Sequence, residues 1–193
     1  MNSKVRTSIS PAKCYLPIGK KEKTCIAGFI GKLAAVATQN MHPMCRIARW
    51  QTALAIWRWT ADAVETDSKF VIKDAGKYNF SLQIASRAAI KHGRKHGING
   101  LRHEHAVPRQ QLADKIISEK MTDTQIVNFL NKFCVAVIVT KDEDSLLRPR
   151  NEMPDAWIWD KKDIFRRYLG SHLFESLVCP EKHAFLKVFS ASK

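Results

Sequence analysis

The pattern of apolar and polar positions divides the chain into a helical first half and a mixed second half. Before about residue 98, apolar residues recur at helical spacing, which predicts helices over 26–38, 45–64 and 81–95. The glycines of "KHGRKHGING" are expected to end the third helix, and its positive charges suit the negative end of the helix dipole. Residues 1–24 carry Ser, Pro, Lys and Gly without periodicity, which predicts a loose basic arm.

The helix predicted over 45–64 is rich in tryptophan. Four large apolar residues follow one another in it at helical spacing: Ile47, Trp50, Leu54 and Trp57. This stripe is predicted to face the core rather than to stack on nucleic-acid bases. The alternative is that the Trp-rich helix binds a protein partner.

The second half alternates short helices with short extended segments. Residues 101–108 are predicted to be extended, because the residue before a proline avoids the α region. Two helices follow, "RQQLADKIISEK" and "TDTQIVNFLNKF", the second with Thr122 and Gln125 spaced as a capping box. The run "CVAVIVT" is mostly β-branched or small and predicts a strand. The run "KDEDSLL" predicts a short helix with acids in its first turn.

Together these elements predict an α+β fold that is mostly helical, and the resemblance to a known family described below implies a small ββα core of two antiparallel strands and a helix. Region 1–98 is predicted to be basic and mainly helical, and region 99–193 to hold the ββα core. A further helical segment is predicted at about 161–169. A chain of 193 residues suits one domain with an extension.

The charge of the chain is strongly positive and unevenly distributed. Lysine and arginine number 32 against 18 aspartate and glutamate, a net charge of +14. Residues 1–110 hold 19 basic and 6 acidic side chains, whereas the remainder holds 13 and 12. A concentrated positive field attracts polyanions and gains from counterion release on nucleic acid. Nucleic acid is therefore the predicted partner, and the candidate contacts are Lys91, Arg94, Lys95, Arg102 and Arg109.

Cysteine usage and hydropathy predict the compartment. Five cysteines without a CxxC pair favour free thiols over a disulfide framework, which predicts a cytoplasmic protein. The best apolar run, "CIAGFIGKLAAVA", is interrupted by Lys32 and is too short to cross a bilayer, so no membrane partner is expected. The basic, acid-poor N-terminus would also fit an organellar targeting segment, which ranks lower.

The stretch "LRHEHAVP" at 101–108 is the main candidate for chemistry, because two histidines flank a glutamate in it. Spacing excludes several known sites. A zinc-protease HExxH helix would need histidine where Val107 stands, and a zinc deaminase would need a later PCxxC. The chain also has no phosphate loop ending in GK[ST] and no GxSxG elbow.

The arrangement that survives is an acid–histidine pair in an extended segment, followed downstream by a second strand and an acidic helix. Hydrolysis of a phosphodiester needs a base to activate water and a divalent cation to stabilise the developing charge. An imidazole near neutrality is a suitable base. Carboxylates from two elements suit Mg²⁺ or Mn²⁺, which prefer oxygen ligands.

In this order of elements, with its "EHAVP" opening and its "VIVTKDED" close, the chain resembles the HNH, or ββα-metal, nucleases over about residues 101–147. The resemblance implies a metal-dependent endonuclease that hydrolyses nucleic acid, with DNA favoured over RNA and Mg²⁺ or Mn²⁺ as the cofactor. The chain departs from the family pattern by having no CxxC zinc knuckles and a longer gap between the two halves of the motif.

The resemblance also implies a role for particular residues. His105 would be the general base, oriented by Asn131, for which Asn128 is the competing assignment. The implied metal ligands are Glu104 and Asp144, with Asp142 as the alternative to Asp144. A carboxylate in place of the motif's last histidine still suits a hard cation.

The alternative is a protein without chemistry at these residues. Glu104, flanked by Arg102, His103 and His105, could be a solvated ionic cluster, and "KDEDS" could be only a favourable helix start. The protein would then be a non-catalytic basic module that binds nucleic acid or another protein.

Overall fold

The computed structural model describes residues 15–38, 44–66, 70–147, 152–155, 157–160 and 164–180. Within these residues the fold is α+β and mostly helical, as predicted, with seven helices and two small sheets. The helices are α1 (Lys20–Ala37), α2 (Met44–Ala61), α3 (Arg87–His96), α4 (Arg109–Ser118), α5 (Asp123–Phe133), α6 (Lys141–Leu146) and α7 (Arg166–Gly170). The strands are β1 (Tyr15–Pro17), β2 (Ala63–Glu65), β3 (Val71–Ile72), β4 (Ile84–Ser86), β5 (Leu101–His105), β6 (Ala136–Thr140) and β7 (Leu177–Val178).

The four-stranded sheet has the order β5-β6-β4-β7 and carries the predicted ββα arrangement. β5 pairs antiparallel with β6, from Leu101 opposite Thr140 to His105 opposite Ala136. Helix α6 then begins directly after β6. The predicted antiparallel pairing of these two strands is therefore confirmed. The second sheet has the order β1-β2-β3 and is antiparallel throughout. It brings β1, which precedes α1, next to β2, which follows α2.

Local side-chain caps explain where several helices begin. Thr122 caps α5 by accepting a hydrogen bond from the Gln125 backbone, and Gln125 accepts one in return from the Thr122 backbone. Thr140 and Glu143 form the same reciprocal arrangement at α6. Each cap satisfies two backbone N–H groups that the first turn of a helix leaves free. The predicted capping box at Thr122 is confirmed.

The main hydrophobic core crosses the predicted boundary at residue 98. It draws on α1, α2, α4 and α5, on β4 and β6, and on the segment around Tyr168. A smaller cluster under α3 joins Ala85, Ala89, Leu101 and Ile138. Because β4 pairs with β6 in parallel, the regions 1–98 and 99–193 share one sheet and one core.

Two predicted helices have different limits in the structure. The helix predicted over 81–95 begins only at Arg87, because residues 84–86 form the buried strand β4. The helix predicted over 45–64 ends at Ala61, and residues 63–65 pair with β1 and β3 instead. In both places, pairing with a strand distant in sequence overrides the local helix preference.

The ends of the chain also differ in part from the prediction. Helix α1 begins at Lys20, within the predicted basic arm, and residues 15–17 form β1; residues 1–14 lie outside the described part. Helix α7 covers only 166–170 of the segment predicted at 161–169, and residues 161–163 lie outside the described residues. Among the described helices, none has both the length and the apolar character that crossing a bilayer requires.

Three of the four residues in the apolar stripe of α2 are exposed, so the prediction of a core-facing stripe is wrong for them, whereas Trp57 is half-buried against His103 and His105. Ile47 is 48% exposed and Trp50 57%, and Leu54 is also exposed. The buried face of α2 is formed by smaller residues together with two large ones, Ile56 and Trp59. The helix has two apolar faces, and the alanine-rich face is the buried one because its small residues permit close packing against α1 and α4.

Candidate functional site

The two histidines of β5 lie on one face of the strand, and the glutamate between them lies on the other. Successive side chains of a strand point to opposite faces, so His103 and His105 share one face and Glu104 lies on the other. His103 is 6% exposed and His105 3%. Their rings contact each other edge to face, with centroids 5.2 Å apart. Glu104 and His105 are therefore adjacent in sequence, but their side chains lie in different environments.

On the histidine face, the two imidazoles pack against α2. The His105 Nε2 and the Thr60 hydroxyl lie 3.0 Å apart in a hydrogen bond. The His103 ring lies edge-on to Trp57, with centroids 4.7 Å apart, and neither of its nitrogens has a hydrogen-bond partner among the described residues. Two cations also lie over the Trp57 ring: Lys77 Nζ is 4.9 Å and Arg109 Cζ 4.7 Å from its centre.

This environment keeps both histidines neutral. The pKa of His103 is lowered to about 3, chiefly by burial and in addition by the positive charges of Lys77 and Arg109, whereas Asp74 opposes them. Burial lowers the pKa of His105 well below its usual range, again with a contribution from Arg109. Both effects disfavour the imidazolium form. At neutral pH, His105 is an uncharged group hydrogen-bonded to a threonine hydroxyl.

On the opposite face, Glu104 forms an ion pair with Arg167 of α7. The Arg167 guanidinium donates to the Glu104 carboxylate at 2.7 Å, and the Arg167 side chain is only 1% exposed. It also donates to the backbone carbonyls of Leu147 (2.9 Å) and His105 (3.3 Å). Arg167 therefore ties the end of α6 and the end of β5 to the C-terminal segment.

The pKa of Glu104 is raised in spite of this ion pair. Burial is the largest cause, and the nearby charge of Asp144 adds to it, whereas Arg167 opposes both. The role of Glu104 and Asp144 as metal ligands stays a prediction. In the structure, the charge that compensates Glu104 is the guanidinium of Arg167.

Among the described residues, no hydrogen bond joins Asn131, Asp142 or Asp144 to His105. Thr140, which caps α6, lies opposite Leu101, four strand positions from His105, which corresponds to about 13 Å at the rise of a strand. Asp142 is exposed. The amide oxygen of Asn131 accepts a hydrogen bond of 2.8 Å from Lys23 Nζ at the end of α5, and the competing Asn128 is exposed.

The described residues therefore fit a bound Mg²⁺ or Mn²⁺ poorly. No group of three or more His, Cys, Asp or Glu side chains that could hold a metal ion occurs among them. Glu104 already has a cation against it, and the imidazole predicted to work with it faces the other side of the strand.

The predicted nucleic-acid contacts fall into two groups. Lys91, Arg94 and Lys95 are exposed on α3, and Arg102 is exposed on β5. Arg109 is different, because it is half-buried, stacks on Trp57 and donates to the Ala53 carbonyl at 3.2 Å. A fifth exposed cation, Arg87, stands at the start of α3. We call Arg87, Lys91, Arg94, Lys95 and Arg102 the α3 basic surface.

Comparison of the chain with protein-family models, with curated proteins and with solved structures finds no match.

Sequence reasoning did not single out Arg167, Thr60 or Lys23, although the structure places all three at polar sites. For Arg167 a signal was present: a charged residue stands among the apolar residues Ile164, Phe165 and Tyr168, all of them buried. A buried arginine requires an acidic or carbonyl partner. The sequence does not indicate which partner, because Glu104 lies 63 residues away.

Proposed function

We propose that the protein binds nucleic acid through the α3 basic surface. The observation that supports this most strongly is the absence of acidic residues from 75–103, a stretch of 29 residues with six lysines and arginines. Of these six, the five that form the α3 basic surface are exposed. No ion pair with a described carboxylate neutralises any of these five side chains. Such a surface attracts a polyanion and gains from the release of its counterions.

The geometry of α3 suits a phosphate backbone. Arg87, Lys91 and Lys95 are four residues apart and therefore lie on one side of the helix, with Arg94 beside them. The ten residues of α3 extend about 15 Å, which matches about four base-pair steps of duplex DNA. The acid Glu143 accepts a hydrogen bond from Ser86 next to Arg87, so the positive field is concentrated at Lys91, Arg94, Lys95 and Arg102. DNA is favoured over RNA as the partner.

The test compares two triple variants of the full-length protein for binding to a labelled DNA duplex and to a single strand. The first, Lys91→Gln/Arg94→Gln/Lys95→Gln, removes three charges from the α3 basic surface. The matched control, Lys20→Gln/Lys21→Gln/Lys32→Gln, removes three exposed charges from α1. The wild type should lose affinity steeply as salt rises. The α3 variant should bind at least tenfold more weakly at low salt and should have a salt slope smaller by about one unit for each lost phosphate contact.

The control triple variant should retain most of the wild-type affinity. Equal weakening by both triple variants would indicate binding to overall charge rather than to the α3 basic surface. An absence of binding at low salt to either nucleic acid would contradict the proposal.

The predicted HNH-like endonuclease activity stays a prediction, and one observation favours it. The antiparallel strands β5 and β6 are followed directly by an acidic helix, in the order of the ββα motif. The same wild-type protein should be incubated with DNA and Mg²⁺ or Mn²⁺, beside folded His105→Ala and Glu104→Ala variants. Cleavage that is lost in the histidine variant and on chelation supports the enzyme, because loss of a general base costs about 10²–10⁴ in rate. Binding without cleavage supports the non-catalytic module.

A further inference from the structure

A cavity of about 700 Å³ lies on another part of the molecule, between the start of α1 and the ends of α2 and α5. Its remaining wall is formed by β1, by the turn at 80–83 and by residues around Val135. Sites for small organic ligands typically measure about 300–1,000 Å³ and have apolar walls with a few polar groups. This cavity has that composition, with Trp59, Phe80 and Leu130 among its apolar walls.

Lys23 is the cation of this cavity. Its ammonium lies 5.1 Å above the Trp59 ring and donates to the Asn131 amide oxygen at 2.8 Å. Among the described residues it has no carboxylate partner. Burial lowers its pKa, which reflects a charge that has lost part of its water without gaining an anion. The amide nitrogen of Asn131 adds two further donors beside it.

The other ionisable groups of the cavity leave this positive charge uncompensated. Asp62, the one carboxylate among the described lining residues, is bound by Arg58 at 2.9 Å and by the Asp74 backbone at 3.0 Å. Burial raises the pKa of Cys134 to about 12, so its thiol is neutral. An anionic ligand would meet one unpaired cation and an amide, and no unpaired acid.

We propose that this cavity binds a small organic anion whose flat, apolar body lies against the Trp59, Phe80 and Leu130 walls. Its carboxylate or phosphate would accept hydrogen bonds from Lys23 and Asn131. The site shares no residue with the α3 basic surface and does not depend on the proposed function. Gly93 of α3 lets the Phe80 ring approach closely, since a β-carbon there would lie 2.7 Å from it, and this positions the wall next to α3.

The experiment measures the binding of small molecules to the full-length protein at pH 7 by isothermal titration calorimetry. The first pair of probes is 2-naphthoate and its uncharged analogue 2-naphthamide, which have the same flat body. The second pair is adenosine 5′-monophosphate and adenosine, which distinguishes a phosphate from a carboxylate. The anion of at least one pair should bind at least tenfold more tightly than its neutral counterpart, because only the anion pairs with the desolvated ammonium.

Three variants connect the binding to the cavity. Lys23→Met keeps the length of the side chain and removes the charge, and it should weaken anion binding at least tenfold. Asn131→Asp, at an exposed position, places a carboxylate beside Lys23 and should weaken it similarly, which gives a second measurement should Lys23→Met unfold. Lys32→Met removes an exposed charge from the same helix outside the cavity and should have no effect.

Each outcome decides the proposal. Selective binding of an anion that both cavity variants weaken supports it, whether the anion is the carboxylate or the phosphate. The proposal is overturned if neither anion binds at millimolar concentration, if the neutral analogues bind equally well, or if Lys32→Met has the same effect as Lys23→Met. The α3 triple variant should bind the anion normally, so failure here and failure of nucleic-acid binding can be told apart.

Discussion

The two faces of β5 bury polar side chains in two different ways. On one face, His103 and His105 lie under Trp57 with the cations Lys77 and Arg109 nearby, and no carboxylate in the described part of the chain forms an ion pair with either imidazole. On the other face, Glu104 is paired with the almost fully buried Arg167. The groups are neighbours in the chain, yet one face is neutral at its centre and the other is ionic.

The difference follows from what each group loses when it leaves water. An imidazole can release its proton at little cost near neutral pH, so burial beside cations simply lowers its pKa. A guanidinium stays charged in proteins and must bring an opposite charge or hydrogen-bond acceptors with it. The histidine face therefore tolerates an unpartnered His103, whereas the glutamate face needs Arg167, Leu147 and the β5 backbone in one network.

Arg167→Met should have the largest effect on this comparison. The change leaves the half-buried Glu104 without its cation, and breaking a buried ion pair by removing one partner costs up to about 3–5 kcal/mol. We expect the free energy of unfolding, measured by urea denaturation at pH 7, to fall by that amount. The matched control is Arg49→Met, which breaks the exposed ion pair with Asp114 at 2.6 Å and should cost less than about 1 kcal/mol. Similar losses of stability in both variants would contradict the claim that the Glu104–Arg167 ion pair stabilises the fold more than an exposed ion pair does.

The second-largest expected effect is a loss of stability in acid, caused by the histidine face. Each imidazole is neutral in the folded protein but binds a proton below about pH 6.5 in the unfolded chain. Stability is therefore lost as the pH falls from about 6.5 towards the folded pKa of His103, about 3. Between pH 7 and pH 5 the loss should be about 2 kcal/mol for His103, and His105, whose pKa is also lowered, should add to it.

The variant His103→Leu isolates the contribution of one histidine to the loss of stability in acid. Urea denaturation at pH 7 and pH 5 should show a pH-dependent loss in this variant that is smaller than in the wild type by about 2 kcal/mol. His96→Gln, a change at an exposed histidine on α3, should leave the pH dependence as it is. An unchanged pH dependence in His103→Leu would show that this imidazole already takes up its proton in the folded state.

Arg109→Met should have the smallest effect of the three. It removes a cation stacked on Trp57 and a hydrogen bond to the Ala53 carbonyl, which together contribute about 1–2 kcal/mol. It also removes a positive charge that lowers the pKa of both histidines, so the loss of stability between pH 7 and pH 5 should become smaller. A larger loss on acidification in Arg109→Met than in the wild type would contradict this account of the histidine face.

Much of the local structure could be predicted from the sequence. The capping box at Thr122, the strand after Cys134 and the acidic start of α6 depend on residues within four positions of one another. The antiparallel pairing of β5 with β6 is implied by the resemblance of residues 101–147 to the ββα motif. The basic character of α3 needed only the composition of 75–103.

Only the tertiary structure decided how these elements distribute their side chains. Strand β4 exists because β6 and β7 offer hydrogen bonds to residues that would locally favour a helix. The alanine-rich face of α2 is buried, and Ile47, Trp50 and Leu54 of the larger apolar stripe are exposed, because the close packing against α1 and α4 accommodates small residues. The separation of Glu104 from His105 follows from the two-residue period of a strand, and the partner of each came from a distant segment: Arg167 for one and Thr60 for the other. The sequence by itself determines which groups are present and which local elements they form, whereas the partners of buried polar groups depend on contacts between residues many positions apart.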